Sequence, residues 1–76
     1  PAGHMLLIEN EDQPGVIGHI GTKLGNAGVN ISRMQLGLNQ KTGKALSIVS
    51  VDQAVSGEIV SALEGEPILK VTPLSL

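Results

Sequence analysis

A cluster of polar residues precedes the first predicted helix: Asn10, Asp12 and Gln13 follow an apolar run, and Pro14-Gly15 follows them. A helix N-terminus presents unpaired N–H groups and about half a positive charge, so it can bind a carboxylate or a phosphate. Asn10 and Asp12 occupy alternate positions and could offer an amide and a carboxylate on the same side. Donors for a carboxylate beside acceptors for an ammonium group predict a site for a free amino acid.

Asn30 opens the neighbouring predicted strand and is a further candidate for this site. The same residues also have a purely structural interpretation. In that interpretation Asp12 or Gln13 caps the helix, which is worth about 1 kcal/mol, and Asn30 hydrogen-bonds backbone groups after the turn at Gly28. The residue types alone leave both interpretations open.

Patterns that would indicate catalysis or metal binding are missing from the sequence. Gly15, Gly18 and Gly21 come three apart, unlike a dinucleotide-binding G-x-G-x-x-G. His4 and His19 are isolated, so neither has the acid of a triad or the second ligand of a metal site. The serines have no neighbouring base. We therefore expect no catalytic residue, no metal and no cofactor.

Composition excludes further classes of function. The 76 residues include five Lys and Arg, no aromatic residue and no cysteine, and the formal net charge is −2. Nucleic-acid binding is disfavoured because neither a basic stripe nor stacking side chains are present. No apolar run approaches the roughly 20 residues of a membrane span. The lack of cysteine favours a reducing, cytoplasmic setting.

The first half of the sequence predicts a strand, a helix and a second strand. Met5–Ile8 is a short apolar strand, and Pro14 fits the first helical position. Apolar residues at helical spacing continue to Ala27, and Gly28 ends the helix. In the following strand, residues 29–39, the apolar phase changes around Ser32 and Arg33, which indicates a bulge or a sheet that is apolar on both faces.

The second half predicts a strand, a shorter helix and a last strand. A hairpin turn leads to residues 45–51, and a helix begins near Asp52 or Ser56 and stops at Gly65. The last strand, residues 68–76, contains Pro73, which cannot donate a ladder hydrogen bond. That strand is therefore expected at a sheet edge or with a kink.

The order β-α-β-β-α-β predicts an α+β, ferredoxin-like fold, with two helices on one face of a four-stranded antiparallel sheet. A chain of this size has a marginal core, and both faces of its predicted strands are apolar. A second copy of the chain is the simplest partner for the bare face. Residues 1–4 have the look of a cloning remnant, so the domain is taken as residues 5–76.

The segments DQPGVIG, NAGVNI, MQLG and GKALSIVSVD resemble the ACT domain family of small-molecule-sensing modules, in particular the C-terminal regulatory domains of D-3-phosphoglycerate dehydrogenases. The resemblance covers nearly all of residues 5–76. It implies a homodimer formed side by side through edge strands and helices, with L-serine bound at the interface as a feedback inhibitor.

The resemblance also implies which residues bind the effector. One chain contributes the strand-to-helix loop, with Asp12 at the polar contact position, and the second chain contributes Asn30. The loop residues are Asn10, Asp12, Gln13, Pro14, Gly15 and Val16. The sequence departs from serine-sensitive members at Asn10, where histidine is common, and at Asp12, where some have asparagine. Two alternatives therefore stay open: the ACT domain of an iron-sulfur L-serine dehydratase β chain, and a structural dimerisation module with a vestigial pocket.

Overall fold

A computed structural model describes residues 3–75 of the chain as a two-layer α+β domain. The elements are β1 (His4–Glu11), α1 (Val16–Asn26), β2 (Ile31–Asn39), β3 (Lys44–Val51), α2 (Gly57–Leu63) and β4 (Ile68–Ser75). The sheet is antiparallel with the strand order β2-β3-β1-β4. The predicted ferredoxin-like fold is confirmed.

The core lies between the sheet and the two helices. Inward residues of β1 and β3 alternate along each strand, and Leu6 pairs with Val49 while Ile8 pairs with Ser47. The helices cover this face with Val16, Ile20 and Leu24 of α1 and Leu63 of α2. Because both helices contribute to one cluster, the opposite face of the sheet stays uncovered in a single chain.

The first turn of α1 differs from the predicted one. Pro14 is not the first helical residue, because it lies in a turn and the helix begins at Val16 after the N-cap residue Gly15. Gly15 has φ 89° and ψ −8°, the angles of the third residue of a type II turn with proline before it. The Pro-Gly pair therefore forms a turn that aims the helix.

The end of α1 is as predicted. Gly28 has φ 77°, and the Val29 N–H donates to the Leu24 carbonyl at 2.9 Å. This hydrogen bond between residues five apart, together with a glycine in the left-handed conformation, is a common way for a helix to satisfy its last carbonyls.

Strand β1 is longer than the predicted Met5–Ile8. It begins at His4, whose Nδ1 lies 3.1 Å from the Ser75 hydroxyl, and it continues through Asn10 to Glu11 opposite Lys44. The polar residues at its end were expected to leave the sheet. These polar residues remain in the sheet because β1 pairs with β3 along the whole length of both strands.

The other predicted elements match the structure closely. A register shift between Ile31 and Arg33 confirms the bulge. Ser56 caps α2, and its hydroxyl accepts a hydrogen bond from the Ile59 N–H. β4 is an edge strand, as expected from Pro73, although its predicted last residue, Leu76, lies outside the described residues.

The uncovered face of the sheet carries a mixed surface. Its apolar residues are Met5, Leu7, Leu46, Ile48 and Leu74, and its charged residues include Glu9, Arg33, Lys44 and Lys70. The predicted apolar character of both sheet faces is therefore present, although charges interrupt it on this side. Within residues 3–75, neither helix has the length and apolar character needed to cross a bilayer.

Gly15 offers a test of the turn before α1. Gly15→Ala should destabilise the domain by about 1–2 kcal/mol, because a Cβ is strained at positive φ. For a chain of this size the melting temperature should fall by about 4–16 °C. Gly21→Ala is the matched control, since a Cβ meets no atom within 4 Å at either position and Gly21 has no positive φ.

The control should stabilise α1 by about 0.5–1 kcal/mol, because alanine favours a helix interior over glycine. Thermal unfolding followed by circular dichroism measures both variants. Equal melting temperatures for the two variants would contradict the turn geometry.

Candidate functional site

A surface cavity of about 440 Å³ lies where β1 leads into α1. Its lining residues are Asn10, Asp12, Gln13, Pro14, Gly15, Val16, Ile17, Gly18 and Leu36. Small-molecule sites usually have volumes of about 300–1,000 Å³ and combine apolar walls with a few polar groups. Six of the seven candidate residues from the sequence therefore surround one cavity, and Asn30 is the exception.

The first turn of α1 supplies hydrogen-bond donors to this cavity. The first bond of the helix runs from the His19 N–H to the Gly15 carbonyl at 2.9 Å. The N–H groups of Val16, Ile17 and Gly18 precede that bond, so they have no partner within the helix. Among residues 3–75, no side chain caps this helix start. The structural interpretation, in which Asp12 or Gln13 caps the helix, is therefore wrong.

The loop that carries Asp12 is held by its backbone. The Glu11 N–H donates to the Pro67 carbonyl at 2.9 Å, and the Asp12 N–H donates to the Gly43 carbonyl at 3.2 Å. The Asp12 side chain itself is exposed and is the one charged group among the lining residues. An exposed carboxylate near the first N–H groups of α1 gives the cavity an acceptor and a set of donors.

Asn10 lies at the floor of the cavity and is 1% exposed. Its Oδ1 accepts a hydrogen bond from the Ser47 hydroxyl at 3.0 Å, and its Nδ2 donates to the Glu11 carbonyl at 3.0 Å. Asn10 was expected to point the same way as Asp12 before the helix. Both line the cavity, but Asn10 is a buried strand residue and Asp12 is an exposed loop residue.

Asn30 lies just before β2, at the other end of that strand from the cavity. Leu36 is the β2 residue at the cavity; it lies six positions after Asn30, which corresponds to roughly 20 Å of extended strand. The Asn30 N–H donates to Asp52 Oδ1 at 3.1 Å, and the Asp52 N–H donates to the Asn30 carbonyl at 3.1 Å. Asp52 therefore pairs with the Asn30 backbone, while no hydrogen bond of the Asn30 side chain occurs among the described residues.

Sequence reasoning missed three residues that line the cavity, Ile17, Gly18 and Leu36. Ile17 and Gly18 continue the helix start, while Leu36 comes from a distant strand and depends on the tertiary fold. Ile17, Leu36 and Leu38 are large apolar side chains that are about half exposed. They lie beside the edge of β2 that has no strand partner within residues 3–75. The cavity thus opens onto an exposed apolar edge.

These features define a class of protein: a ferredoxin-like α+β domain with a ligand-sized cavity at its first strand-to-helix junction. The ACT domain family model matches residues 4–67, and the chain belongs to this family. The family suggested by the sequence motifs is confirmed.

D-3-phosphoglycerate dehydrogenases are similar to most of the chain. The enzyme of Bacillus subtilis is 39% identical over 67 residues, which are 88% of this chain and 13% of the enzyme. The enzyme of Mycobacterium leprae is 44% identical over 61 residues, which are 80% of this chain and 12% of the enzyme. The chain is therefore homologous to a small segment of these dehydrogenases and spans about 13% of the first relative's length.

Solved structures with a similar fold include the regulatory subunit of aspartate kinase from Thermus thermophilus. Its TM-score is 0.70 at 20% identity, and the match covers 93% of this chain and 48% of that subunit. A protein from Galdieria sulphuraria described as unknown has a TM-score of 0.76 at 22% identity, covering 96% of this chain and 44% of its own. At these identities the likeness supports the fold alone.

Proposed function

We propose that the chain is a regulatory domain that binds a free amino acid, L-serine, between two copies of itself. The observation that carries this proposal is the junction of β1 and α1, where an Asp12 carboxylate borders a cavity next to unpaired helix N–H groups. The N–H groups suit the ligand carboxylate and Asp12 suits its ammonium group. The dehydrogenase relatives support serine as the amino acid, since a biosynthetic enzyme is commonly controlled by its end product.

The free edge of β2 is the proposed contact between two chains. The sheet has two edge strands, and β4 carries Pro73, which lacks one donor for pairing with another strand. β2 contains no proline and exposes Leu36 and Leu38 beside its edge. Pairing two β2 strands would join the sheets of the two copies and bury these leucines.

Antiparallel pairing of two β2 strands would also complete the cavity. If the two-fold axis crosses β2 near Arg33, the start of one strand lies opposite Leu36 of the other. The partner's Asn30 would then approach the cavity that a single chain leaves open on this side. A carboxamide from the second copy would add both a donor and an acceptor for a dipolar ligand.

Serine would act by favouring one arrangement of the two copies. A ligand that contacts both chains stabilises the arrangement in which both contacts form, and it shifts the equilibrium by its difference in affinity for the two arrangements. In a cytoplasmic D-3-phosphoglycerate dehydrogenase this shift would be transmitted to catalytic domains outside this chain. An iron-sulfur L-serine dehydratase β chain is the alternative parent, in which the same site would sense the substrate.

Isothermal titration of the protein with a panel of amino acids tests the proposal. We expect saturable binding of L-serine, weaker binding of alanine and glycine, and no binding of D-serine at the same concentrations. Absence of binding for every member of the panel, by a protein shown to be dimeric in the same buffer, would overturn it.

A structural dimerisation module is the second candidate function. The observation that favours it is Asn10, a residue that is 1% exposed and whose carboxamide is already bonded to Ser47 and Glu11. A vestigial cavity would leave such internal bonds intact. This candidate predicts a stable dimer whose melting temperature does not change with any amino acid. A sensor would instead be stabilised by its ligand, by about 2.7 kcal/mol of unfolding free energy when the ligand is present at 100 times its Kd.

A further inference from the structure

A buried polar pair supports the floor of the cavity. Asn10 on β1 and Ser47 on β3 both belong to the inward phase of their strands, among residues that are otherwise apolar. Ser47 is fully buried and Asn10 is 1% exposed. Burying two polar side chains in a small core is unfavourable unless they bond to each other, and they do so at 3.0 Å.

The hydrogen bonds determine which end of the Asn10 carboxamide lies where. The Glu11 carbonyl can only accept, so the carboxamide atom that faces it at 3.0 Å must be the donor Nδ2. The oxygen Oδ1 then faces Ser47, whose hydroxyl must donate. Nδ2 carries two hydrogens and, within residues 3–75, donates one of them to Glu11, so one N–H remains at a residue that lines the cavity.

We infer that Ser47 is a positioning residue of the effector site: it holds the Asn10 carboxamide so that the remaining Nδ2 hydrogen is available to an oxygen of the ligand. This inference rests on the proposed amino-acid binding. The floor of the cavity is then a neutral donor, which donates a hydrogen bond to a hydroxyl or carboxylate oxygen and disfavours an ammonium group. Asp12 at the cavity rim remains the acceptor for the ammonium.

Ser47→Ala tests the inference because it removes the hydroxyl and changes little in volume. The carboxamide loses its partner at Oδ1, and the Kd for L-serine should rise about fivefold to tenfold, as for the loss of one hydrogen bond. Ser47→Thr keeps the hydroxyl and should restore binding. Ser50→Ala makes the same chemical change on the same strand but on the uncovered face, and its Kd should equal that of the wild type.

Titration with L-alanine distinguishes the two possible ligand oxygens. If the Nδ2 hydrogen bonds the serine hydroxyl, Ser47→Ala should not weaken alanine binding. If it bonds the carboxylate, alanine and serine should be weakened equally. Either result supports the positioning role, because a residue that only stabilises the fold would lower the melting temperature without changing the Kd of the folded protein.

Two results would overturn the inference in different ways. If the wild type binds serine and Ser47→Ala binds it with the same Kd, Ser47 does not position the site although amino-acid binding stands. If the wild type binds no amino acid, the proposed function fails and this inference fails with it. Side-chain amide signals of Asn10 in nuclear magnetic resonance spectra, recorded without ligand, separate these cases. Ser47→Ala should shift them and speed their exchange, whereas Ser50→Ala should not.

Discussion

Leu36→Lys should convert the proposed dimer to a monomer and abolish the proposed binding of serine. Leu36 is 48% exposed in a single chain, lies on β2 and lines the cavity. In the proposed dimer it is buried, so the substitution places an unpaired charge in an apolar contact in each copy. An uncompensated buried charge costs about 3–5 kcal/mol, which weakens association by roughly 100-fold or more.

Leu69→Lys is the matched control for this prediction. Leu69 is similarly exposed, at 44%, and lies on β4, the other edge strand. This variant should stay dimeric and bind serine as the wild type does. Sedimentation equilibrium gives the association constants of all three proteins. A dimeric Leu36→Lys protein, or a monomeric Leu69→Lys protein, would place the contact elsewhere than at the β2 edge.

Mixing two variants that each bind serine weakly should restore tight binding sites that neither variant has alone. Asp12→Ala removes the proposed acceptor on one chain, and Asn30→Ala removes the carboxamide contributed by the other. Each substitution alone affects both sites of a symmetric dimer and should weaken serine binding about fivefold to 150-fold. A mixed dimer contains one site with both substitutions and one site with neither. An equal mixture with random pairing should therefore regain about a quarter of the wild-type sites.

The double variant Asp12→Ala/Asn30→Ala, mixed with the wild-type chain, is the control for this experiment. Every site of that mixed dimer carries one substitution, so only the remaining wild-type dimers bind tightly. The Asn30 backbone makes both hydrogen bonds to Asp52, so the alanine should leave the start of β2 intact. If the two single variants recover no binding after subunit exchange, the site does not combine residues of two chains.

Most of the fold follows from local patterns in the sequence. Gly28 ends α1, the phase change around Ser32 and Arg33 marks a real bulge, and Pro73 lies on an edge strand. The extent of β1 could not be predicted from its own residues. Glu9, Asn10 and Glu11 are polar, and they are held in the sheet by pairing with β3, more than thirty residues along the chain. The conformation of Pro14-Gly15 was also ambiguous, because proline suits both the first helical position and a type II turn.

The part of the candidate site that is formed by residues close in sequence could be predicted. The candidate residues between Asn10 and Val16 are neighbours along the chain, so their types beside a predicted helix start were enough to suggest a ligand site, and six of them line one cavity. Leu36 joins them only through the sheet order. Ser47 was harder to find from the sequence. It is the polar residue among the inward-facing residues of β3, which are Ala45, Ser47, Val49 and Val51, and it pairs with Ile8, two residues before Asn10. A role for Asn30 depends on a second chain; the residue types left that role open, and the resemblance to ACT domains implied it.

A crystal structure of the protein grown with L-serine tests the central claim most directly. We predict a two-fold dimer joined at β2, with serine density between Asp12 of one chain and Asn30 of the other. The serine carboxylate should lie within hydrogen-bonding distance of the first N–H groups of α1. A dimer at saturating serine whose β1–α1 cavity is empty, or whose cavity is remote from the second chain, would contradict the account.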